Sequence, residues 1–246
     1  MEHDDPARSF GPAAAHYDRA RPTYPPDVIA WALGPDVGPG RGSVVDVGAG
    51  TGLLTRVLVP LAGEVLPVEP DPLMRAQLAA ATPGVVPRDG AAESIPVPDA
   101  SVDAVVSGQA YHWFDPEAAN AEAARVLRPG GHFAAVWNIR DEDVPWVAEL
   151  SDLIEQKARA DRRDLRNWPG ADFGPAFGPV ERFAGGHRMP MDADALVELV
   201  ASRSYYLVAS EARRAELVTR VRGLAAGLPP AFEMPYVTVA YRARRR

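Results

Sequence analysis

The chain has 246 residues, which is enough for one large domain or for a domain with a lid. It contains no cysteine, so disulfides and thiolate metal ligands are excluded, and its five histidines show no metal-ligand spacing. We therefore expect no bound metal. The formal net charge of −7 argues against a protein that must grip a nucleic-acid backbone.

No apolar run approaches the ~20 residues that a membrane-spanning helix needs. The first ten residues, MEHDDPARSF, are acidic and lack the apolar segment of a secretory signal. We therefore expect a soluble, cytoplasmic protein, monomeric or homodimeric, with neither a membrane nor a nucleic acid as partner.

The N-terminal region differs in character from the rest of the chain. Residues 1–8 are expected to form a disordered arm. The next segment is expected to be a helical lead-in, bent by the prolines near Tyr24. The turn-rich stretch GPDVGPGRG (34–42) then separates this region from the residues after it.

From Ser43 to about residue 140, strand-like and helix-like segments alternate. The predicted strands are SVVDV, EVLPVE, VDAVVSG and the end of RPGGHFAAVWN. Two of the helices open on an aspartate N-cap followed by proline at the first helical position, at Asp71-Pro72 and Asp115-Pro116. The alternation predicts an α/β fold with a parallel sheet and helices on both faces.

After Asn138 the alternation ends. The predicted elements are helices within 141–166, 192–207 and 210–228, with a loop at 167–179. The terminal YVTVAYRARRR alternates as a closing strand does. We interpret its arginines as a solvated strand end rather than a nucleic-acid site, because the chain is acidic and no aromatic platform accompanies them.

The stretch VVDVGAGTG (44–52) joins the first predicted strand to a helix. Glycines in such a turn let backbone N–H groups approach a ligand. It is not a P-loop, because Leu53 and Leu54 stand where Lys and Ser/Thr are required, and its G-x-G-x-G spacing departs from the dinucleotide fingerprint. The preceding Asp46 would repel a pyrophosphate, and it suits a ligand that carries an ammonium or sulfonium charge.

A second carboxylate stands in register with this loop. Glu69 lies 17 residues after Gly52, at the end of the second predicted strand. A carboxylate in that place can accept hydrogen bonds from both hydroxyls of a ribose. The loop and Glu69 together predict a nucleoside-containing, positively charged ligand.

Four motifs together resemble the class I S-adenosylmethionine-dependent methyltransferases: VVDVGAGTG, PVEPDPLM, GAAESIPVPDASVDAVVSGQAYHWFD and RVLRPGGHF. The segments YDRARPTYP and QAYHWFD resemble a small-molecule branch related to trans-aconitate methyltransferases. The resemblance covers about residues 10–140. It implies a Rossmann-like, mostly parallel seven-stranded sheet with helices on both faces and an antiparallel last strand.

The resemblance also implies a division of labour within one domain. Residues 1–42 would form an N-terminal arm or lid, 43–140 the cofactor-binding core, 141–234 a helical substrate-pocket region, and 235–246 the closing strand and basic tail.

S-adenosyl-L-methionine is the cofactor that the resemblance implies. Its methionine part would lie against Gly48, Ala49, Gly50 and Gly52, its ammonium near Asp46, its ribose on Glu69, its adenine between Pro70, Asp71, Met74, Ala92 and Glu93, and its sulfonium beside Gln109 and Ala110. Many relatives carry an acidic residue where this chain has Ala91, so recognition of the adenine would rest on the backbone or on Glu93.

The arm and the aromatic segment AYHWFD supply candidates for the substrate pocket. The resemblance suggests a lid with Tyr17 near the cofactor and with Arg21 and Tyr24 at the substrate; helix packing and surface charge are the alternative. The candidates beyond the ends of the third and fourth predicted strands are Tyr111, His112, Trp113, Trp137 and Asn138, since open α/β sheets bind ligands there. Tyr205 and Tyr206 are candidate pocket walls or core residues.

The implied reaction is displacement at the sulfonium methyl by a small-molecule carboxylate, hydroxyl or carbon. A carboxylate needs no base, whereas the other acceptors do, and His112 is then the candidate base, with a structural histidine as the alternative. Arg19, Arg21 and Arg140 could pair with an acidic substrate. Three alternatives stay open: cyclisation or elimination that releases methylthioadenosine, methylation of transfer RNA or protein, and a non-catalytic binding protein.

Overall fold

The computed structural model describes Asp18, residues 21–154 and 172–203, Tyr206 and residues 209–246. The expectations for residues 1–8, Tyr17, Arg19 and Tyr205 lie outside this part. The strands are β1 (Ser43–Val47), β2 (Glu64–Val68), β3 (Val102–Gly108), β4 (Leu127–Arg140), β5 (Glu181–Met191) and β6 (Phe232–Arg244). The α-helices are α1 (Pro26–Leu33), α2 (Leu53–Leu58), α3 (Pro72–Ala81), α4 (Pro116–Val126), α5 (Pro145–Ile154), α6 (Ala193–Ala201) and α7 (Glu211–Ala225).

The strands form a mixed sheet in the order β2-β1-β3-β4-β6-β5. The pairs β1–β2, β1–β3 and β3–β4 are parallel. Strand β6 runs antiparallel to both of its neighbours, β4 and β5. The α/β class and the antiparallel last strand are therefore confirmed.

The sheet has six strands in the described chain rather than the expected seven. Residues 85–88 approach the free edge of β2 but form a single bridge, in which the Arg88 N–H donates to the Pro67 carbonyl at 2.8 Å and the Glu69 N–H to the Arg88 carbonyl at 3.1 Å. Extending this ladder toward Val86 would require an N–H at position 67, and proline has none. The bridge therefore stays one residue long.

Two helix starts confirm the Asp-Pro prediction. The Asp71 carboxylate accepts hydrogen bonds from the N–H groups of Leu73 and Met74, which are otherwise without a partner in the first turn of α3. Asp115 caps α4 in the same way, and each helix has proline at its start. These caps fix the residue at which α3 and α4 each begin.

Two apolar clusters lie on opposite faces of the sheet. On one face, alternate residues of the strands, such as Val44, Val106 and Val136, pack under α1 and α2. On the other, Val45, Val105 and Phe133 pack under α4 and the loop at 173–177. Because successive side chains of a strand point to opposite faces of the sheet, neighbouring residues of one strand pack in different clusters.

A third cluster caps one end of the sheet. Helices α5, α6 and α7 pack against Met191 of β5 and against Met234 and Tyr236 of β6. Tyr236 lies opposite Arg140, the last residue of β4. The helical cap therefore sits at the carboxyl end of the parallel strands, which is where the candidate site residues lie.

Strand β5 was not predicted by the sequence and lies within the segment expected to be helical. Its sequence, ERFAGGHRMPM, contains Gly185-Gly186 and Pro190, which have low strand propensity, and it is an edge strand that is mostly solvent-accessible. Its pairing with β6 comes from residues about fifty positions later in the chain, which no local pattern reveals. No helix in the described ranges is both long and apolar enough to cross a membrane.

Candidate active site

The glycine loop after β1 adopts a backbone that side chains disfavour. Gly48, Gly50 and Gly52 all have positive φ, at 68°, 56° and 86°. A Cβ on Gly48 would come within 2.7 Å of the Ala110 Cβ, whereas a Cβ on Gly50 would meet no heavy atom within 4 Å. Gly48 thus permits close approach of two loops, and Gly50 faces open space at the predicted cofactor position.

Asp46 lies beneath this loop with its carboxylate only partly satisfied. The side chain is buried, and its Oδ2 accepts a hydrogen bond from Thr55 Oγ1 at 2.6 Å. Its Oδ1 is also buried and has no hydrogen-bond partner within the described part of the chain. Burial raises the pKa of Asp46 to about 7, against the lowering effect of the Thr55 hydrogen bond. A buried acceptor without a donor is the arrangement that a cationic or N–H-bearing ligand would complete.

Glu69 holds the loop from the end of β2. One carboxylate oxygen accepts the Gly50 N–H at 2.8 Å and the other accepts the Asp71 N–H at 2.9 Å. Burial raises the pKa of Glu69, and these two hydrogen bonds act in the opposite direction. Two carboxylate oxygens offer about four acceptor positions, so lone pairs are left for ligand hydroxyls.

The residues expected around an adenine differ in the burial and the hydrogen bonding of their side chains. Asp71 is committed to capping α3, and Met74 and Ala92 are buried. The Glu93 carboxylate accepts the Asp115 N–H at 2.9 Å and so ties its loop to the start of α4. Pro70 remains half-buried. An interaction of Glu93 with adenine stays a prediction.

Gln109 and Ala110 stand directly after β3, facing the glycine loop. Gln109 has φ of +61°, a left-handed conformation that costs energy for a residue with a side chain. Its backbone N–H donates to the Val136 carbonyl at 2.8 Å, and its Nε2 donates to the Asn138 carbonyl at 2.9 Å. Both bonds fix Gln109 to the end of β4, where they hold the strained conformation in place.

A pocket opens beside Gln109 on the face of the sheet that carries α1. Its empty volume is about 280 Å³, including space open to solvent, and its lining is Arg21, Pro22, Tyr24, Leu53, Gln109, Asn138 and Arg203. The structure therefore brings the predicted residues Arg21, Tyr24, Gln109 and Asn138 together. Arg203 was not predicted, because nothing in its local sequence distinguishes it from a surface arginine.

The aromatic segment divides between core and surface. Tyr111 and Trp137 are 3% and 2% exposed and pack edge-to-face in the cluster on the α4 side of the sheet. His112 and Trp113 are exposed, and partial loss of water around its ring lowers the pKa of His112. None of these four belongs to the lining of the described pocket. Tyr206 packs against the helical cap.

The arm contacts both the glycine loop and the pocket. The Asp18 carboxylate accepts a hydrogen bond from Thr51 Oγ1 at 2.8 Å and pairs with Arg56 at 2.6 Å. Asn138 Nδ2 donates to the Thr23 carbonyl at 3.0 Å. Asp18 was missed by the sequence argument, although it comes directly after the candidate Tyr17.

These features fit the expected cofactor. The buried Asp46 oxygen suits an ammonium group, the open space at Gly50 leaves room for a methionine chain, and Glu69 retains acceptor capacity for ribose hydroxyls. All three lie at the carboxyl ends of β1 and β2, where open α/β sheets bind ligands.

Comparisons with known proteins agree with this geometry. Residues 45–135 match the model of a methyltransferase domain. An uncharacterized methyltransferase of Mycobacterium tuberculosis is 42% identical over 97% of this chain and 96% of its own length. A probable S-adenosylmethionine-dependent methyltransferase of Saccharomyces cerevisiae is 31% identical over 56% of this chain and 50% of its own length.

Solved structures show the same architecture. A putative type II methyltransferase from Anaeromyxobacter dehalogenans superimposes with a TM-score of 0.67 and 26% identity, covering 91% of this chain and 97% of that one. A putative methyltransferase from an antibiotic biosynthesis pathway of Anabaena variabilis has a TM-score of 0.58 at 19% identity, covering 87% and 95%. The second likeness concerns the fold alone.

Proposed function

We propose that this protein transfers a methyl group to a small-molecule acceptor. The premise is that the chain belongs to the class I S-adenosylmethionine-dependent methyltransferases. The acceptor would occupy the pocket beside Gln109. The observation that carries this proposal is the lining of the pocket, which joins Arg21 and Tyr24 of the arm to Gln109, Asn138 and Arg203. A pocket of about 280 Å³ that is partly open to solvent suits a metabolite rather than a nucleic-acid strand, and the charge of −7 agrees.

The cofactor supplies an activated methyl group on a good leaving group, so the protein's task is to position and desolvate the acceptor. In this proposal Asp46 and Glu69 hold the cofactor, and Gln109, fixed by its two hydrogen bonds to β4, borders the acceptor. The trans-aconitate branch is not assumed, and carboxylate, hydroxyl and carbon acceptors all stay within the proposal.

We further propose that the part of the expected arm that precedes α1, which contains Asp18 and Thr23, acts as a lid; α1 itself packs in the core. The support is that Asp18 is tied to the glycine loop, while Thr23 is tied to the end of β4. A lid held at both places would cover cofactor and acceptor and exclude water.

The test is product analysis. The protein is incubated with S-adenosylmethionine and an ultrafiltered small-molecule cell extract, and products are identified by mass spectrometry. We expect S-adenosylhomocysteine and a compound heavier by one CH₂, both dependent on the extract. Methylthioadenosine as the product would instead indicate attack within the aminobutyryl chain. Turnover with transfer RNA or protein but not with the extract would contradict the small-molecule proposal.

A further inference from the structure

A chain of side-chain hydrogen bonds crosses three strands at the end of the sheet beside the pocket. Its members are His187 of β5, Thr238 of β6 and Asn138 of β4. His187 Nδ1 and Thr238 Oγ1 are 3.2 Å apart, and Thr238 Oγ1 donates to Asn138 Oδ1 at 2.5 Å. Asn138 and Thr238 lie opposite each other in the register of β4 and β6. Of the three residues, Asn138 alone belongs to the lining of the described pocket.

Asn138 connects two walls of the pocket. Its Nδ2 donates to the Thr23 carbonyl at 3.0 Å and to the Pro22 carbonyl at 3.4 Å, so the amide holds the backbone of the arm. The backbone carbonyl of Asn138 accepts a hydrogen bond from Gln109 Nε2 at 2.9 Å. Pro22 and Gln109 both line the pocket. The position of Asn138 therefore sets the separation between the arm and the residue that follows β3.

The direction of each hydrogen bond in this chain follows from which groups can donate. The two arm carbonyls only accept, so the nitrogen of the Asn138 amide must face them and its Oδ1 must face Thr238. Because Oδ1 also only accepts, the Thr238 hydroxyl uses its one proton there. Thr238 Oγ1 is left as an acceptor toward His187, whose Nδ1 must therefore carry a proton. The neutral ring then has an unprotonated Nε2, an atom that is buried and has no hydrogen-bond partner within the described ranges.

The surroundings of the chain hold it in this one arrangement. The His187 ring stacks on the Tyr236 ring, with the centroids 5.4 Å apart and 19° between the planes. Burial lowers the pKa of His187, against the raising effect of the Thr23 backbone, so the ring is neutral at pH 7. Thr238 is fully buried, so water does not compete for its hydroxyl. The proton positions in the chain are therefore set by the protein itself.

We propose that Thr238 and His187 are positioning residues for the acceptor and that they act through Asn138. This inference rests on the proposed function, because that function places the acceptor in the pocket beside Gln109. Without the Thr238 hydroxyl, Asn138 Oδ1 loses its donor, and the amide is free to rotate away from the arm carbonyls. The arm is then held less firmly over the pocket, and the acceptor is held less firmly at the distance that methyl transfer requires.

NMR spectroscopy of the ring nitrogens tests the proton arrangement on the whole protein at about pH 8, where a histidine with a lowered pKa is neutral. Proton–nitrogen correlations within the ring distinguish the two neutral tautomers. The His187→Phe variant identifies the signals of this residue among the five histidines. We expect Nδ1 to be protonated and Nε2 unprotonated. A ring protonated at Nε2 alone would contradict the chain, because Nδ1 could then only accept from Thr238.

Hydrogen exchange tests the hold on the arm. Thr238→Val removes the hydroxyl and keeps the shape of the side chain. We expect the amides of Thr23 and Tyr24 to exchange roughly three- to ten-fold faster in this variant, the range for the loss of one buried hydrogen bond. Thr238→Ser retains the hydroxyl and should exchange as the wild type does. Thr219→Val is the control, because its hydroxyl bonds to the Ala215 carbonyl within α7, and it should leave the arm unchanged.

Steady-state kinetics separate a positioning role from a purely structural one. With the acceptor that the product analysis identifies, we expect Thr238→Val to lower kcat/KM roughly three- to ten-fold and Thr238→Ser to restore it. His187→Phe keeps a ring against Tyr236 and removes the donor to Thr238, so it should act in the same direction. The affinity for S-adenosylhomocysteine, measured by calorimetry, should stay at the wild-type value. An equal fall in that affinity would make the effect structural and would overturn the positioning role.

Failure of this inference and failure of the proposed function give different results. If Thr238→Val matches Thr219→Val in arm exchange or in kcat/KM, the positioning role is refuted, and intact S-adenosylhomocysteine binding leaves the methyltransferase proposal standing. If the wild-type protein does not bind S-adenosylhomocysteine, the proposed function fails. The tautomer of His187 and the exchange of the arm amides still decide whether the chain of hydrogen bonds holds the arm.

Discussion

At the residue scale, Asp46 links stability to function. Burial raises its pKa from 3.8 to about 7, so between these values the folded protein binds more protons than the unfolded chain. The free energy of unfolding contributed by this residue therefore falls as pH rises from about 4 to about 7. A cationic ligand group beside the ionised carboxylate would offset that loss.

Replacing Asp46 should separate the two effects. We expect Asp46→Asn to flatten the dependence of the melting temperature on pH between about 4 and 7, because the titrating carboxylate is gone. The same variant should bind S-adenosylhomocysteine roughly ten-fold more weakly at pH 8, because a charge-assisted contact is lost. Thermal denaturation across pH and calorimetry measure these quantities. Unchanged affinity would remove Asp46 from the cofactor site.

Gly50 offers a matched comparison with Gly84. Both have positive φ and open space where a Cβ would be, so alanine should cost each site about 1 kcal/mol of backbone strain. Only Gly50→Ala should weaken S-adenosylhomocysteine binding, because only that space belongs to the predicted cofactor site. Equal affinities of the two variants would place the cofactor elsewhere.

His112 is the residue whose role depends on the acceptor. Its lowered pKa keeps the ring neutral at pH 7 and so able to accept a proton. We expect His112→Ala to spare methylation of a carboxylate and to reduce kcat for a hydroxyl or carbon acceptor by 10²-fold or more, as an order-of-magnitude estimate. Steady-state kinetics with the identified acceptor decides this. If His112→Ala methylates a hydroxyl or carbon acceptor at the wild-type rate, His112 is not the catalytic base.

At the scale of elements, the sequence predicted those helices and strands whose formation depends on residues close to one another in the chain. The Asp-Pro caps of α3 and α4 and the apolar β-branched runs of β1 and β3 were predictable because each depends on neighbouring residues. Strand β5 was not, because its stability comes from pairing with β6. The expected seventh strand is absent from the described chain because Pro67 has no N–H for the next ladder hydrogen bond. This effect could not be predicted, because the sequence does not show that residues 85–88 lie beside Pro67.

The arm is the element whose contacts are most easily tested. Asp18 bonds to Thr51 and Arg56, so Asp18→Ala should loosen the arm from the glycine loop. We expect faster hydrogen exchange in the arm and S-adenosylhomocysteine affinity reduced about three- to ten-fold, the range for one partly exposed charged contact. Asp89→Ala, which removes a surface partner of Arg75, serves as the control. If the two variants show the same hydrogen exchange in the arm and the same S-adenosylhomocysteine affinity, the contact of Asp18 does not hold the arm, and the lid proposal is contradicted.

At the scale of the whole molecule, the donor site and the acceptor site differ in how far the sequence reveals them. The donor site is built from short contiguous motifs around Gly50 and Glu69, which a single sequence displays. The proposed acceptor pocket joins residues that are far apart in the sequence, namely Arg21 and Tyr24 of the arm, Gln109, Asn138 and Arg203. Such a pocket exists only once the sheet has formed, so its lining could not be predicted from the sequence alone.

The central claim is that the carboxyl end of β1 and β2 binds the cofactor through Glu69. Calorimetric titration with S-adenosylhomocysteine tests it most directly, using the wild-type protein, Glu69→Gln, and Glu64→Gln as a control at the opposite end of the same strand. We predict one site per chain, affinity lowered roughly ten-fold or more by Glu69→Gln, and no change with Glu64→Gln. Absence of binding to the wild-type protein, or equal affinity in all three, would contradict the claim.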